Sequence, residues 1–101
     1  MAYAYTSFDW DEGNREKCQG HGVSLVEIEG LFTGEVAIWP DLAHSRDETR
    51  FLAIGRSLKG RHIFVALTIR VMDDERYLRP ISARYMHQKE IEHYERLNPR
   101  A

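Results

Sequence analysis

The chain has 101 residues, 43% of them hydrophobic, and a formal net charge of -2. That length supports one domain, expected over residues 1–101, with a single core and a thin stability margin. One cysteine, Cys18, excludes an intramolecular disulfide, a C-x-x-C redox pair and a zinc ribbon, and no apolar run approaches the roughly 20 residues of a membrane helix.

In chain order, Met1 to Ser7 lack the basic and apolar regions of a signal peptide, so a reducing, cytoplasmic setting is expected. Phe8 to Trp10 reads as a short strand leading into a polar helix over about residues 11–19, capped by Asp9 or Asp11 and weakened by Gly13. Gly20-His21-Gly22 follows. Glycine on both sides of the histidine permits positive φ and leaves the imidazole unscreened. Ser24 and Glu27 carry the S-x-x-E capping-box pattern, which places the start of the next helix. Leu25, Ile28, Leu31 and Phe32 recur at helical spacing until Thr33-Gly34 ends the run.

Val36 to Trp39 reads as a strand stopped by Pro40-Asp41, and residues 43–48 as a polar loop. Thr49 to Arg56 and Arg61 to Val71 read as two strands joined by Ser57-Leu58-Lys59-Gly60. In the second, Ile63, Val65, Leu67, Ile69 and Val71 form an apolar face for packing on helices. The opposite face is mixed and is left for function. After Asp73-Asp74-Glu75, Tyr77 to Ala83 reads as a further strand whose local pairing Pro80 interrupts. A final helix over Met86 to Leu97 sets Ile91, Tyr94 and Leu97 at i, i+3 and i+6, and Asn98-Pro99 ends it. The expected architecture is therefore α+β, a small antiparallel sheet with helices packed on it, in the order β-α-α-β-β-β-β-α.

Charge is segregated along the chain. Residues 1–49 hold three basic residues against ten acids, and residues 50–101 hold eleven against six. Such a division suits one face to an anion and another to a basic or helical partner. The five histidines show no H-E-x-x-H and no closely spaced triad, and a four-carboxylate di-iron bundle cannot be built around Glu90-x-x-His93. No metal or cofactor is expected. Cys18 lies in a polar helix and no G-x-S-x-G elbow occurs, which argues against covalent catalysis.

Arginines at strand positions and strand ends remain: Arg56, Arg70, Arg79 and Arg84, with Arg61, Lys59 and Lys89 nearby. Guanidinium groups bind phosphate bidentately and stay charged, so several on one sheet face would hold a phosphodiester. His21 would add proton transfer near neutral pH.

Phe8-Asp-Trp-Asp11, His21-Gly-Val-Ser24, Pro40-Asp41 with His44-Ser45, Glu48-x-Arg50-Phe51, Ile54-Gly-Arg56 and Ile81-Ser-Ala-Arg84 together resemble the BrnT family of toxins. The resemblance runs from Phe8 to Tyr94. It implies a RelE-like fold and a metal-independent ribonuclease of a type II toxin-antitoxin module that inhibits translation. It also implies a BrnA-like antitoxin of ribbon-helix-helix type as partner, with operator DNA reached only through that antitoxin. On this reading His21 is the candidate general acid or base, Arg56 and Arg70 are phosphate clamps, and Arg79 and Arg84 stabilise the phosphorane.

One departure stands out, because family members commonly carry lysine where this chain has Gly20. The second reading is accordingly a weakened or inactive homologue that serves as an antitoxin-binding module. The acidic N-terminal half and the negative net charge favour it, since RNA binding draws on net attraction to phosphate.

Overall fold

The computed structural model describes residue 5 and residues 7–97. Its elements are β1 (Ser7–Phe8), α1 (Glu12–Gln19), α2 (Leu25–Leu31), β2 (Val36–Pro40), β3 (Arg50–Arg56), β4 (His62–Met72), β5 (Glu75–Tyr85) and α3 (Gln88–Leu97), with a 3-10 turn at Leu42–His44. The α+β class and the element order match the sequence expectation. Asn98-Pro99 lies outside the described residues.

Local chemistry explains where the helices begin. Asp11, not Asp9, caps α1: its carboxylate accepts the Asn14 N–H at 2.9 Å, and the Asn14 amide oxygen accepts the Asp11 N–H at 2.7 Å. Asp9 instead prolongs the β1 edge, its N–H donating to the Leu78 carbonyl at 2.8 Å. Asn14 is buried, and its amide nitrogen donates to the carbonyls of Asp9 at 3.0 Å and Pro80 at 2.9 Å, which ties α1 to β5. At α2 the predicted capping box is present, with both Ser24–Glu27 bonds at 3.1 Å. Of the two glycines around His21 only Gly22 uses positive φ, at 92°, while Gly20 closes α1 with an ordinary helical φ of -61°.

The strands form one sheet in the order β1-β5-β4-β3-β2, antiparallel except that β1 runs parallel to β5. Ile63, Val65 and Leu67 of β4 share one face with Ala53, Leu78 and Ala83 of the neighbouring strands. Cys18 and Val23, with Ile28 and Leu31 of α2, complete that core. Burying each large aliphatic side chain contributes about 1.5–3 kcal/mol before chain entropy is counted. Helices of 8 and 7 residues are too short to persist alone, so this layer rather than helix propensity holds them.

Three details depart from simple alternation. Val71 was expected to face the helices, but it is 65% exposed because the β4–β5 hairpin runs past them. Asp73 and Asp74 close that hairpin at φ 51° and 65°, a left-handed pair that aspartate tolerates. Ala66 pairs with Ser82 whereas Leu67 pairs with Pro80, so Ile81 is the extra residue of a bulge. Pro80 has no N–H to give the ladder, as its position in the sequence foretold.

The third helix lies on the opposite face. Met86, Tyr94 and Leu97 meet Ala37, Trp39, Ile54 and Phe64 across an open groove of about 700 Å³. No residue of α3 is buried, and Leu97 is 68% exposed, so the predicted apolar stripe is only partly covered.

Candidate active site

The four predicted arginines do share a sheet face. Arg56 pairs with His62, Arg84 with Phe64, Arg79 with Thr68 and Arg70 with Tyr77, and all eight positions alternate away from α1 and α2. They form two pairs, however. Arg56 and Arg84 lie near α3, whereas Arg70 and Arg79 lie beside β1, some six strand residues or roughly 20 Å further along β4.

Each of the four meets a carboxylate. Arg84 makes a two-point bond to Glu90 of α3 at 2.7 and 2.8 Å, with its guanidinium 4.9 Å from the centre of the Phe64 ring. Glu90 also accepts the His87 N–H at 2.9 Å. The Arg84 bond, then the His87 N–H, hold the Glu90 carboxyl at about 2, well below its ordinary value. Arg56 donates to Glu95 at 3.3 Å and to the His62 Nε2 atom at 3.3 Å. Burial, then the Arg56 charge, push the His62 pKa down, which keeps that ring neutral and able to accept. Arg79 is 19% exposed between Asp9, at 3.3 Å, and the helix-capping carboxylate of Asp11. Both of its terminal nitrogens are occupied. Arg70, half exposed, reaches Asp9 at 3.9 Å.

The charge asymmetry of the sequence is thus partly cancelled inside the fold, where the acidic N-terminal segment meets basic residues of β4 and β5. Around Arg79 the arrangement supports structure more directly than anion binding, because it ties the start of α1 to the sheet.

His21 is exposed on the loop between α1 and α2, on the helix-bearing side of the sheet. It is therefore not brought together with the four arginines. Its surroundings are instead set by Gly22, whose carbonyl lies 3.4 Å from the Tyr85 hydroxyl. That hydroxyl donates to Glu27 at 2.7 Å, and the Arg61 guanidinium lies 3.5 Å from the centre of the Tyr85 ring. Burial draws the Glu27 pKa upward, but the Ser24 N–H, the Tyr85 hydroxyl and nearby Lys59 outweigh it and keep the carboxylate ionised. The bond to Glu27 raises the Tyr85 pKa, so its hydroxyl stays protonated.

Sequence reasoning missed the carboxylate partners Asp9, Asp11, Glu90 and Glu95. Only Glu90 left a local signal, three residues after His87 at a helix start. Glu27 was legible as a capping residue, but nothing local announced its bond to Tyr85, 58 residues away. Among the described residues, no three His, Cys, Asp or Glu side chains are grouped so as to hold a metal ion. Nor is any helix there long and apolar enough to cross a membrane.

A search of curated protein sequences returned no match. The family model described as the ribonuclease toxin BrnT of type II toxin-antitoxin systems matches residues 10–90, a span that holds the His21 loop, all four arginines and the whole of β2 to β5. The chain therefore belongs to the BrnT family of ribonuclease toxins of type II toxin-antitoxin systems.

Proposed function

We propose that this chain is a cytoplasmic endoribonuclease that cleaves RNA without a metal ion, inhibits translation and is neutralised by a BrnA-like ribbon-helix-helix antitoxin. Family membership over residues 10–90 is the observation that carries this reading. In the reaction, the RNA 2′-oxygen attacks the adjacent phosphorus and loses its proton to a base. The 5′-oxygen leaves with a proton from an acid, giving a 2′,3′-cyclic phosphate and a 5′-hydroxyl. His21, exposed and carried on a loop shaped by Gly22, is assigned one of these proton transfers. Arg56, Arg84 and Arg70, on the other face of the sheet from His21, are assigned to flanking backbone phosphates, which at Arg56 and Arg84 would replace the Glu95 and Glu90 carboxylates.

Digestion of RNA by the purified chain, with and without EDTA, tests this reading. Cleavage that survives EDTA, leaves cyclic phosphate ends and is lost in His21→Ala and Arg84→Ala supports it. Cleavage abolished by EDTA removes metal independence, and variants that cut like the parent remove the residue assignments.

The second reading, an antitoxin-binding module without activity, draws on the carboxylate partners of all four arginines and on Gly20. Expression without antitoxin separates the two. Growth arrest supports the nuclease, and normal growth supports the module.

A further inference from the structure

Arg61 differs from the four arginines of the opposite face in what holds it. Among the described residues no carboxylate lies within ion-pair distance of Arg61; an aromatic ring positions it instead, with the guanidinium 3.5 Å above Tyr85. Stacking restricts the side chain, while among the described residues its guanidinium has no hydrogen-bond or ion-pair partner and the residue is exposed. The ring is in turn fixed by its hydroxyl, which reaches Glu27 at 2.7 Å, and Glu27 is fixed by the Ser24 cap at the start of α2. Gly22 completes the seat. A Cβ there would lie 4.0 Å from the Tyr85 ring, and its carbonyl stands 3.4 Å from the hydroxyl. The residue before Gly22 is His21. Lys59, in the β3–β4 turn with Arg61, adds a second exposed cation close enough to lower the Glu27 pKa.

We propose that Arg61, seated on the Tyr85 ring, is the phosphodiester-binding residue beside His21, and that Tyr85 and Glu27 are the positioning residues that hold it there. The ligand class is a single-stranded RNA backbone. A planar guanidinium with a free fork matches two phosphate oxygens. The neighbouring Lys59 adds a less directional charge for the next phosphate. This inference rests on the ribonuclease reading for the identity of the polymer, and on the stacked geometry for the site. It adds a phosphate contact on the His21 side of the sheet to those assigned to the arginines under α3.

The test is binding of a fluorescein-labelled 2′-O-methyl RNA oligonucleotide, which lacks the attacking hydroxyl, by the full chain across a series of KCl concentrations. Arg61→Ala is expected to weaken binding about tenfold and to flatten the salt dependence by about 0.7 in log-log slope, the value of one lost phosphate contact. Arg61→Lys is expected to keep the slope while losing part of the affinity. Tyr85→Leu is expected to match Arg61→Ala, and Tyr85→Phe, which retains the ring, to stay near the parent. Thermal melts check that each variant is folded, and Arg61→Gln serves if the alanine variant is not. Unchanged affinity and slope in Arg61→Ala, or absence of binding by the parent, overturns the inference. Unmodified RNA tests the underlying reading separately. Binding that depends on Arg61 without cleavage would refute the nuclease and keep the site, whereas cleavage equal in parent and Arg61→Ala would keep the nuclease and refute the site.

Discussion

Gly55 offers a test of the packing in which the sign of the effect carries the information. It lies on the helix-facing side of β3, opposite Val36 and Ile63, and an added Cβ would sit 2.9 Å from Leu31 Cγ, 3.0 Å from Leu31 Cδ1 and 3.4 Å from the Glu35 carbonyl oxygen. Leu31 is 1% exposed and belongs to the packed core. A glycine-to-alanine change that fits its site stabilises a protein by about 0.4–1 kcal/mol through the unfolded chain. Overpacking a filled core instead costs about 1–3 kcal/mol. The clash dominates, so Gly55→Ala is expected to destabilise by about 2 kcal/mol, a fall of roughly 10 °C in Tm for a domain of this size. Urea unfolding followed by the fluorescence of Trp10 and Trp39 measures this, provided that the slope with denaturant is unchanged. In a Leu31→Ala background, itself about 2–5 kcal/mol less stable, the added methyl enters vacated space and is expected to be neutral or stabilising. A coupling of at least about 1 kcal/mol between the two changes follows. A neutral or stabilising Gly55→Ala in the parent, or strict additivity in the pair, would refute the reasoning.

Further outcomes concern α3, the core thiol and the Gly20 position. Glu90 is depressed in the fold to about 2 from an ordinary 4.5, so its contribution to α3 docking is complete above pH 4.5 and fades as pH falls toward 2. With both partners more than a third exposed the effect is small, less than about 1 kcal/mol, and Trp39 fluorescence in the groove should report it in the parent and not in Glu90→Gln. Cys18 is fully buried, and burial pushes its thiol up to about 11. It is expected to react with a thiol reagent at pH 8 only as fast as the protein opens, and rapid labelling of folded protein would contradict that placement. Gly20→Lys is expected to fold normally, since φ is -61° and the new Cβ would meet the nearest atom at 3.4 Å, and to increase RNA cleavage. An unchanged cleavage rate would make that position irrelevant to activity.

Local rules were enough for several elements. Ser24 and Glu27 place α2 because a capping box is a contact between residues three apart, and Pro80 announces the β5 bulge because a missing N–H is a property of one residue. Other features were legible in kind but not in place. Strand parity puts Arg56, Arg70, Arg79 and Arg84 on one face, yet parity says nothing about which carboxylate a folded neighbour brings to each.

Composition and periodicity alone thus determined the α+β class and the element order, and they named the candidate phosphate-binding arginines, because these follow from spacing along the chain. Only the tertiary structure decided which partner each of those residues meets. Asp9 and Asp11 reach Arg79 across 68 or more residues, α3 brings Glu90 and Glu95 onto Arg84 and Arg56, and a ring rather than a carboxylate receives Arg61. A guanidinium's availability depends on its nearest partner in space, and sequence spacing does not determine that partner once the chain has folded back on itself.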